Sequence, residues 1–154
     1  MPSHTDETLR LSSDLVVHAA RLVRAARRTS IQDGAGIRVL SLLDQLGPST
    51  VTALAAADRS SQPTMSGAVA SLVEKGWVEK RSHPGDARAS LVHVTTDGAT
   101  ALSDVRRAHA LAVADRLGTT DHTTSDLATA VAVLRDLLAS DDATPDGPLQ
   151  EGTL

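Results

Sequence analysis

The sequence predicts a mainly α-helical fold with one small β-hairpin and long helices at both ends, and three observations support this. The apolar fraction is 41% and comes mainly from Ala, Leu and Val; Phe and Tyr are absent and Trp77 is the only aromatic. A core of that composition suits helices packed through small and medium aliphatics. Apolar residues also recur every three or four positions on both sides of a short central region, which is the spacing of a helix face. Only between Trp77 and Thr95 does the period drop to two, in two runs separated by the turn sequence HPGD. The length of 154 residues fits one domain able to bury a core. That domain is expected over residues 9–139, with a flexible tail at 1–8. The acidic segment SDDATPDGPLQEGTL, residues 140–154, carries Pro and Gly and reads as disordered.

The elements follow in order. Leu11, Leu15, Ala19, Leu22 and Ala26 lie at helical spacing, and Arg21, Arg24, Arg27 and Arg28 fall late in this helix, where cations suit its dipole. The segment DGAGI breaks it. A second helix places Ile37, Leu40, Leu43 and Leu46 inward and stops at Gly47-Pro48. VTALAAA, residues 51–57, forms a short helix with Ser49 or Thr50 as its cap. Ser61 then caps a longer helix, with Pro63 in its first turn, Val69, Leu72 and Val73 buried, and Gly76 just past its end. A short helix, a tight polar turn and a longer helix have helix-turn-helix spacing. WVEKRS and ASLVHVT form the hairpin that follows directly. Thr95 or Thr96 caps a long helix with Asp97 in its first turn and a stripe of Leu102, Val105, His109, Ala112 and Val113, ending near Gly118. The last helix starts at about Thr123; its Leu127, Val131, Leu134 and Leu138 lie close to heptad spacing and suit a helix–helix seam.

Composition removes several function classes. No Cys is present, which excludes a disulfide scaffold, a thiol nucleophile and a cysteine-based zinc ribbon. Too few aromatics exist for a single-strand stacking platform. No segment is long and apolar enough to span a membrane, and the polar, acidic N-terminus lacks a basic-then-apolar signal pattern, so a cytoplasmic protein is expected. Six histidines are present but at no metal-ligand spacing, so no metal site and no cofactor are expected. There is no G-x-S-x-G, P-loop or metal triad, which argues against an enzyme.

Charge is distributed unevenly. The formal net charge is −4. Residues 1–58 carry six basic and six acidic side chains. Residues 97–154 carry four basic and ten acidic. Residues 59–93 carry five basic (Arg59, Lys75, Lys80, Arg81, Arg88) against three acidic (Glu74, Glu79, Asp86), so only the middle of the chain is positive. Nucleic-acid binding would need that local positive face, with the acidic remainder turned away.

The stretch LVEKGWVEKRSHPGDARASLVHVTTDG resembles the MarR family of winged-helix transcription regulators. The family pattern is a Leu-x-x-x-Gly-Leu-Val helix end, a basic pair, a turn with Asp-x-Arg, alternating apolar residues and a Leu-Thr-x-x-Gly entry to the next helix. Leu72, Gly76, Val78, Lys80, Arg81, Asp86, Arg88, Thr95 and Gly98 stand in register with it. Trp77 and Val94 replace the usual Leu at two points, apolar for apolar. The resemblance is clearest over residues 51–99. It implies a DNA-binding winged helix at about 34–96 and dimerisation helices at about 9–29 and 97–139. It further implies a homodimer, usually a repressor, on a pseudo-palindromic double-stranded operator. A cleft for small, often phenolic or lipophilic, effectors is implied between the dimerisation helices and the DNA lobe.

On that resemblance Arg88 enters the minor groove from the wing tip, where negative potential concentrates, and Asp86 holds its guanidinium by a bidentate pair; the alternative is a pair that merely solubilises the turn. Ser61, Gln62, Thr64, Met65 and Ser66 open the recognition helix and face base edges, or else only cap it. No Arg or Lys lies among them, so guanine reading looks weak and A·T contacts with groove shape carry the specificity. Arg38, Thr50, Arg59, Lys80, Arg81 and His83 are candidate phosphate contacts. His18, Trp77 and His109 are candidates for the effector cleft, expected to be a generic apolar pocket. The competing function is a winged-helix module for protein–protein contact without an operator, which would suit the acidic total.

Overall fold

In the computed structural model, residues 4–28 and 34–142 are described. Six helices and one hairpin follow in the order α1 (His4–Arg27), α2 (Gly34–Leu46), α3 (Val51–Asp58), α4 (Gln62–Glu74), β1 (Val78–His83), β2 (Asp86–Val94), α5 (Thr96–Leu117) and α6 (Thr124–Asp142). The chain divides into two compact units, residues 1–113 and 114–154. Residues 4–8, expected in a loose tail, form the first turns of α1. Asp6 and Glu7 there suit the positive end of the helix dipole. At the other end α6 extends to Asp142, and the remainder of the expected acidic tail lies outside the described residues.

The core of the first unit is made by α2, α3, α4, the hairpin and the start of α5. Leu40, Leu54, Met65, Val69, Leu72, Val78, Val92 and Leu102 form one buried cluster. Two expected core positions prove exposed, Leu46 on α2 and Val73 on α4, and Val39 and Met65 occupy the interior instead.

Local chemistry sets the element ends. Thr50 caps α3 by accepting the Ala53 N–H (3.1 Å), while Ser49 pairs with Val92 as an isolated bridge, giving the hairpin a third, one-residue neighbour. Ser61 caps α4 by accepting the Thr64 N–H (3.2 Å). Helix α4 closes at Gly76, whose φ of +70° only glycine adopts without strain. The Gly76 N–H reaches the Val73 carbonyl (3.0 Å) and the Trp77 N–H reaches that of Leu72 (2.9 Å). Trp77 thus belongs to the helix stop and packs on the core, outside the strand in which alternation had placed it.

One junction ties the end of α4 to both the hairpin and α5. Thr95 donates its hydroxyl to the Gly76 carbonyl (2.6 Å) and its N–H to the Trp77 carbonyl (3.1 Å). The same hydroxyl accepts the Gly98 N–H (3.1 Å), so Thr95 is the cap of α5. A Cβ at Gly98 would lie 2.0 Å from the Trp77 carbonyl oxygen. The glycine is thus required by close backbone approach.

In the second unit, α6 begins with a reciprocal cap. Thr123 donates its N–H (2.7 Å) and hydroxyl (2.9 Å) to the Asp126 carboxylate and accepts the Asp126 N–H (3.2 Å). Those bonds, backbone first, hold the Asp126 carboxyl below its usual value. None of the described α6 side chains is buried, and Val131, Leu134, Leu137 and Leu138 are exposed.

Candidate nucleic-acid interface

The wing tip is shaped by an irregular register. Ser82 pairs with Ser90, yet the next pair is His83 with Asp86, so residues 87–89 bulge from β2 with nothing opposite them on β1. Arg88 stands at the middle of this bulge and is exposed. Bulges of this kind re-aim a side chain. The Asp86 carboxylate accepts the backbone N–H of Arg88 (2.9 Å), and His83 Nδ1 accepts that of Gly85 (3.0 Å). This corrects the expected bidentate pair: Asp86 fixes the backbone that carries Arg88, and the guanidinium has no ion pair among the described residues. The Asp-x-Arg spacing is explained by that bond, which spans two residues as in an Asx turn.

Helix α4 presents the second surface. Gln62, Pro63, Thr64, Ser66, Gly67 and Ala70 are exposed along it, and none carries charge. Met65, expected at base edges, is 1% exposed and belongs to the core. Ser61 and Thr64 are exposed, but their hydroxyls bond each other (2.7 Å) as part of the cap. Gln62 donates its side-chain N–H to Thr52 Oγ1 on α3 (3.2 Å).

The candidate phosphate contacts divide. Arg59 and Lys80 are exposed and free of ion pairs among the described residues. Arg59 holds the left-handed turn that closes α3 at φ +53°. Arg81 pairs with Glu79 on the same strand and remains largely exposed. Thr50 is committed to its cap, and His83 Nδ1 to the turn. Arg38 binds the buried Asp58 carboxylate (2.8 Å), whose side chain is 8% exposed. It therefore staples α2 to the end of α3, since a buried carboxylate needs a partner; a phosphate contact was expected of it.

A cavity of about 580 Å³ lies within the first unit between the end of α2, the base of the hairpin and α5. Leu43, Pro48, Val94, Ala99 and Leu102 supply its apolar walls, and Asp44, His93, Thr95, Ser103 and Arg106 its polar ones. Asp44 and Arg106 pair at 2.8 Å. None of the three residues expected in an effector cleft lines it. His18 is exposed on α1 and bonds the Asp14 carbonyl through Nδ1 (2.7 Å), Trp77 packs on the core, and His109 is half-buried with a partnerless Nε2. This cavity is also not purely apolar. Asp44 and Arg106 are 62 residues apart, and no local motif signals such a pair.

An exposed helix in a helix-turn-helix, followed by a hairpin with a free arginine at its tip, defines a winged-helix DNA-binding protein. The MarR family model matches residues 35–90. A HTH-type transcriptional regulator of Mycobacterium tuberculosis is 35% identical over 143 residues, covering 91% of this chain and 99% of that one. The chain belongs to the MarR family and is a DNA-binding transcriptional regulator. Among solved structures, a MarR family protein from Bacillus stearothermophilus superposes with a TM-score of 0.72 at 16% identity, covering 92% of this chain and 99% of that one. BpsR of Bordetella bronchiseptica, whose DNA binding is regulated by 6-hydroxynicotinic acid, superposes with a TM-score of 0.58 at 20% identity, covering 83% and 98%. No helix among the described residues is long and apolar enough to cross a membrane.

Proposed function

We propose that this chain is a homodimeric repressor of a pseudo-palindromic double-stranded operator, acting in the cytoplasm and released by a small amphiphilic effector. The carrying observation is the uncommitted Arg88 guanidinium on a bulge braced by Asp86, together with an uncharged exposed face on α4. Arg88 lies in the minor groove and α4 in the major groove, with Arg59, Lys80 and Arg81 on phosphates. The exposed apolar positions of α1 (Leu11, Leu15, Leu22) and α6 (Val131, Leu134, Leu138) support pairing with a second copy.

The cavity supports the effector reading. Its apolar walls suit a ring or short chain, and Arg106 suits a polar or anionic end. The acid that regulates BpsR combines these features. Such a ligand competes with Asp44 for Arg106 and presses on Thr95, which also holds the end of α4. It releases DNA only by binding the non-operator geometry better than the operator-bound one.

Selection of bound duplexes from a random pool at near-physiological salt, with wild type and Arg88→Ala in parallel, tests this. Wild type enriches a two-fold site with half-sites about one helical turn apart. Arg88→Ala loses roughly tenfold or more in affinity and its preference at A·T-rich flanks. Enrichment of no site by wild type sinks the operator reading.

A further inference from the structure

Resting on the operator reading, we infer that Gln62, held by Thr52, reads one adenine in each half-site and is the main base-specific contact of α4. Among the polar residues that open α4, Ser61 and Thr64 have hydroxyls joined to each other and to the helix cap, and Met65 is buried. Gln62 is different. It projects from the first turn, is exposed, and its amide is fixed from outside the helix by Thr52 on α3.

The chemistry of that bond matters. A glutamine amide has two N–H donors and one carbonyl acceptor. Thr52 Oγ1 accepts one donor, at 3.2 Å. One N–H and Oε1 remain, and they share one edge of the amide when Thr52 takes the N–H trans to Oε1. Adenine presents N7 as acceptor and N6–H₂ as donor in the major groove, the complementary pair. Guanine presents two acceptors, N7 and O6, and sets a lone pair against Oε1. Thr52 thus fixes which amide edge faces the groove and removes rotamer freedom before DNA arrives.

The rest of the helix face is built for approach. Ser66, Gly67 and Ala70 are small and exposed, and a Cβ at Gly67 would meet no atom within 4 Å. No lysine or arginine lies on α4. Thr52 is therefore a positioning residue on the first helix of the motif, acting through Gln62.

The test uses the full-length protein and the site that wild type enriches. Binding is measured for wild type, Gln62→Ala, Thr52→Val and Thr52→Ser, with each A·T pair changed in turn to G·C and, separately, each adenine replaced by 7-deazaadenine. Wild type is expected to lose roughly tenfold or more at one adenine per half-site for either change. Gln62→Ala loses that discrimination at that position alone. Thr52→Val weakens it severalfold with thermal stability and salt dependence unchanged, and Thr52→Ser, which keeps the hydroxyl, restores it. Unaltered preferences in Gln62→Ala overturn the inference, and discrimination by Thr52→Val equal to wild type overturns the role of Thr52. Both results presuppose an enriched site, so they are distinct from failure of the operator reading, in which wild type enriches none.

Discussion

The lobe formed by α2, α3, α4 and the hairpin treats its leucines and valines very differently from α1 and α6. Leu40, Leu54, Leu72 and Val92 are at most 1% exposed, whereas Leu11 and Val16 on α1 and Leu137 and Leu138 on α6 are between 52% and 70% exposed. The residue types are the same. The lobe covers most of its own apolar side chains, Leu46 and Val73 excepted, while α1 and α6 display stripes that their own units leave uncovered. A stripe at helical or heptad spacing shows that a helix will be buried against something, without showing whether that partner is in the same chain.

The largest expected effect lies where the lobe joins α5. Gly98→Ala drives a methyl group into the Trp77 carbonyl and must displace backbone on one side. Overpacking of this kind costs roughly 1–3 kcal/mol or more. Tm by calorimetry should fall by several degrees, and DNA affinity with it, because Thr95 and Gly76 are moved together. An unchanged Tm would mean that the junction has slack.

A substitution in the flanking stripe should behave in the opposite manner. Leu134→Glu is expected to leave the lobe folded and to weaken dimerisation tenfold or more, about 1.4 kcal/mol per tenfold. Sedimentation at graded concentrations should then show a shift from twice the 16.0 kDa chain mass toward the monomer. A dimer as tight as wild type would place the pairing surface elsewhere and leave the α6 stripe unexplained.

The same contrast explains what could be read from the sequence. Caps and stops are decided within a few residues, and Ser61, Thr50, Gly76 and the hairpin turn stand where local chemistry put them. The Arg88 position was legible through its motif, but the role of Asp86 was not. It depends on a bulge whose three extra residues follow from the register of two strands. Met65 is buried and Val73 exposed, the reverse of the expectation, with Met65 continuing the buried face of Val69 and Leu72 by one turn toward the start of α4. Arg38, Asp44 and Arg106 found partners through tertiary contacts, and Thr52 was missed because its bond to Gln62 crosses between helices.

The smallest expected effect compares the two helix stops inside the lobe. Helices α3 and α4 end with the same pair of backbone bonds: Arg59 N–H to the Ala56 carbonyl (3.1 Å) and Ser60 N–H to that of Ala55 (3.0 Å) repeat the pattern at Gly76 and Trp77. Gly76 is the residue such a turn favours; Arg59 adopts the same left-handed backbone against its preference. Left-handed geometry in a non-glycine residue costs on the order of 1 kcal/mol, offset in part because glycine is more flexible when unfolded. Arg59→Gly should therefore leave stability within about 1 kcal/mol of wild type, on the favourable side if strain dominates. DNA affinity should nevertheless fall, with the slope of log affinity against log salt reduced by about one, as for loss of one phosphate contact. Chemical denaturation and salt-graded binding on the same preparation separate the two effects. A variant that loses neither affinity nor salt dependence would show that the arginine is tolerated in the turn without acting there.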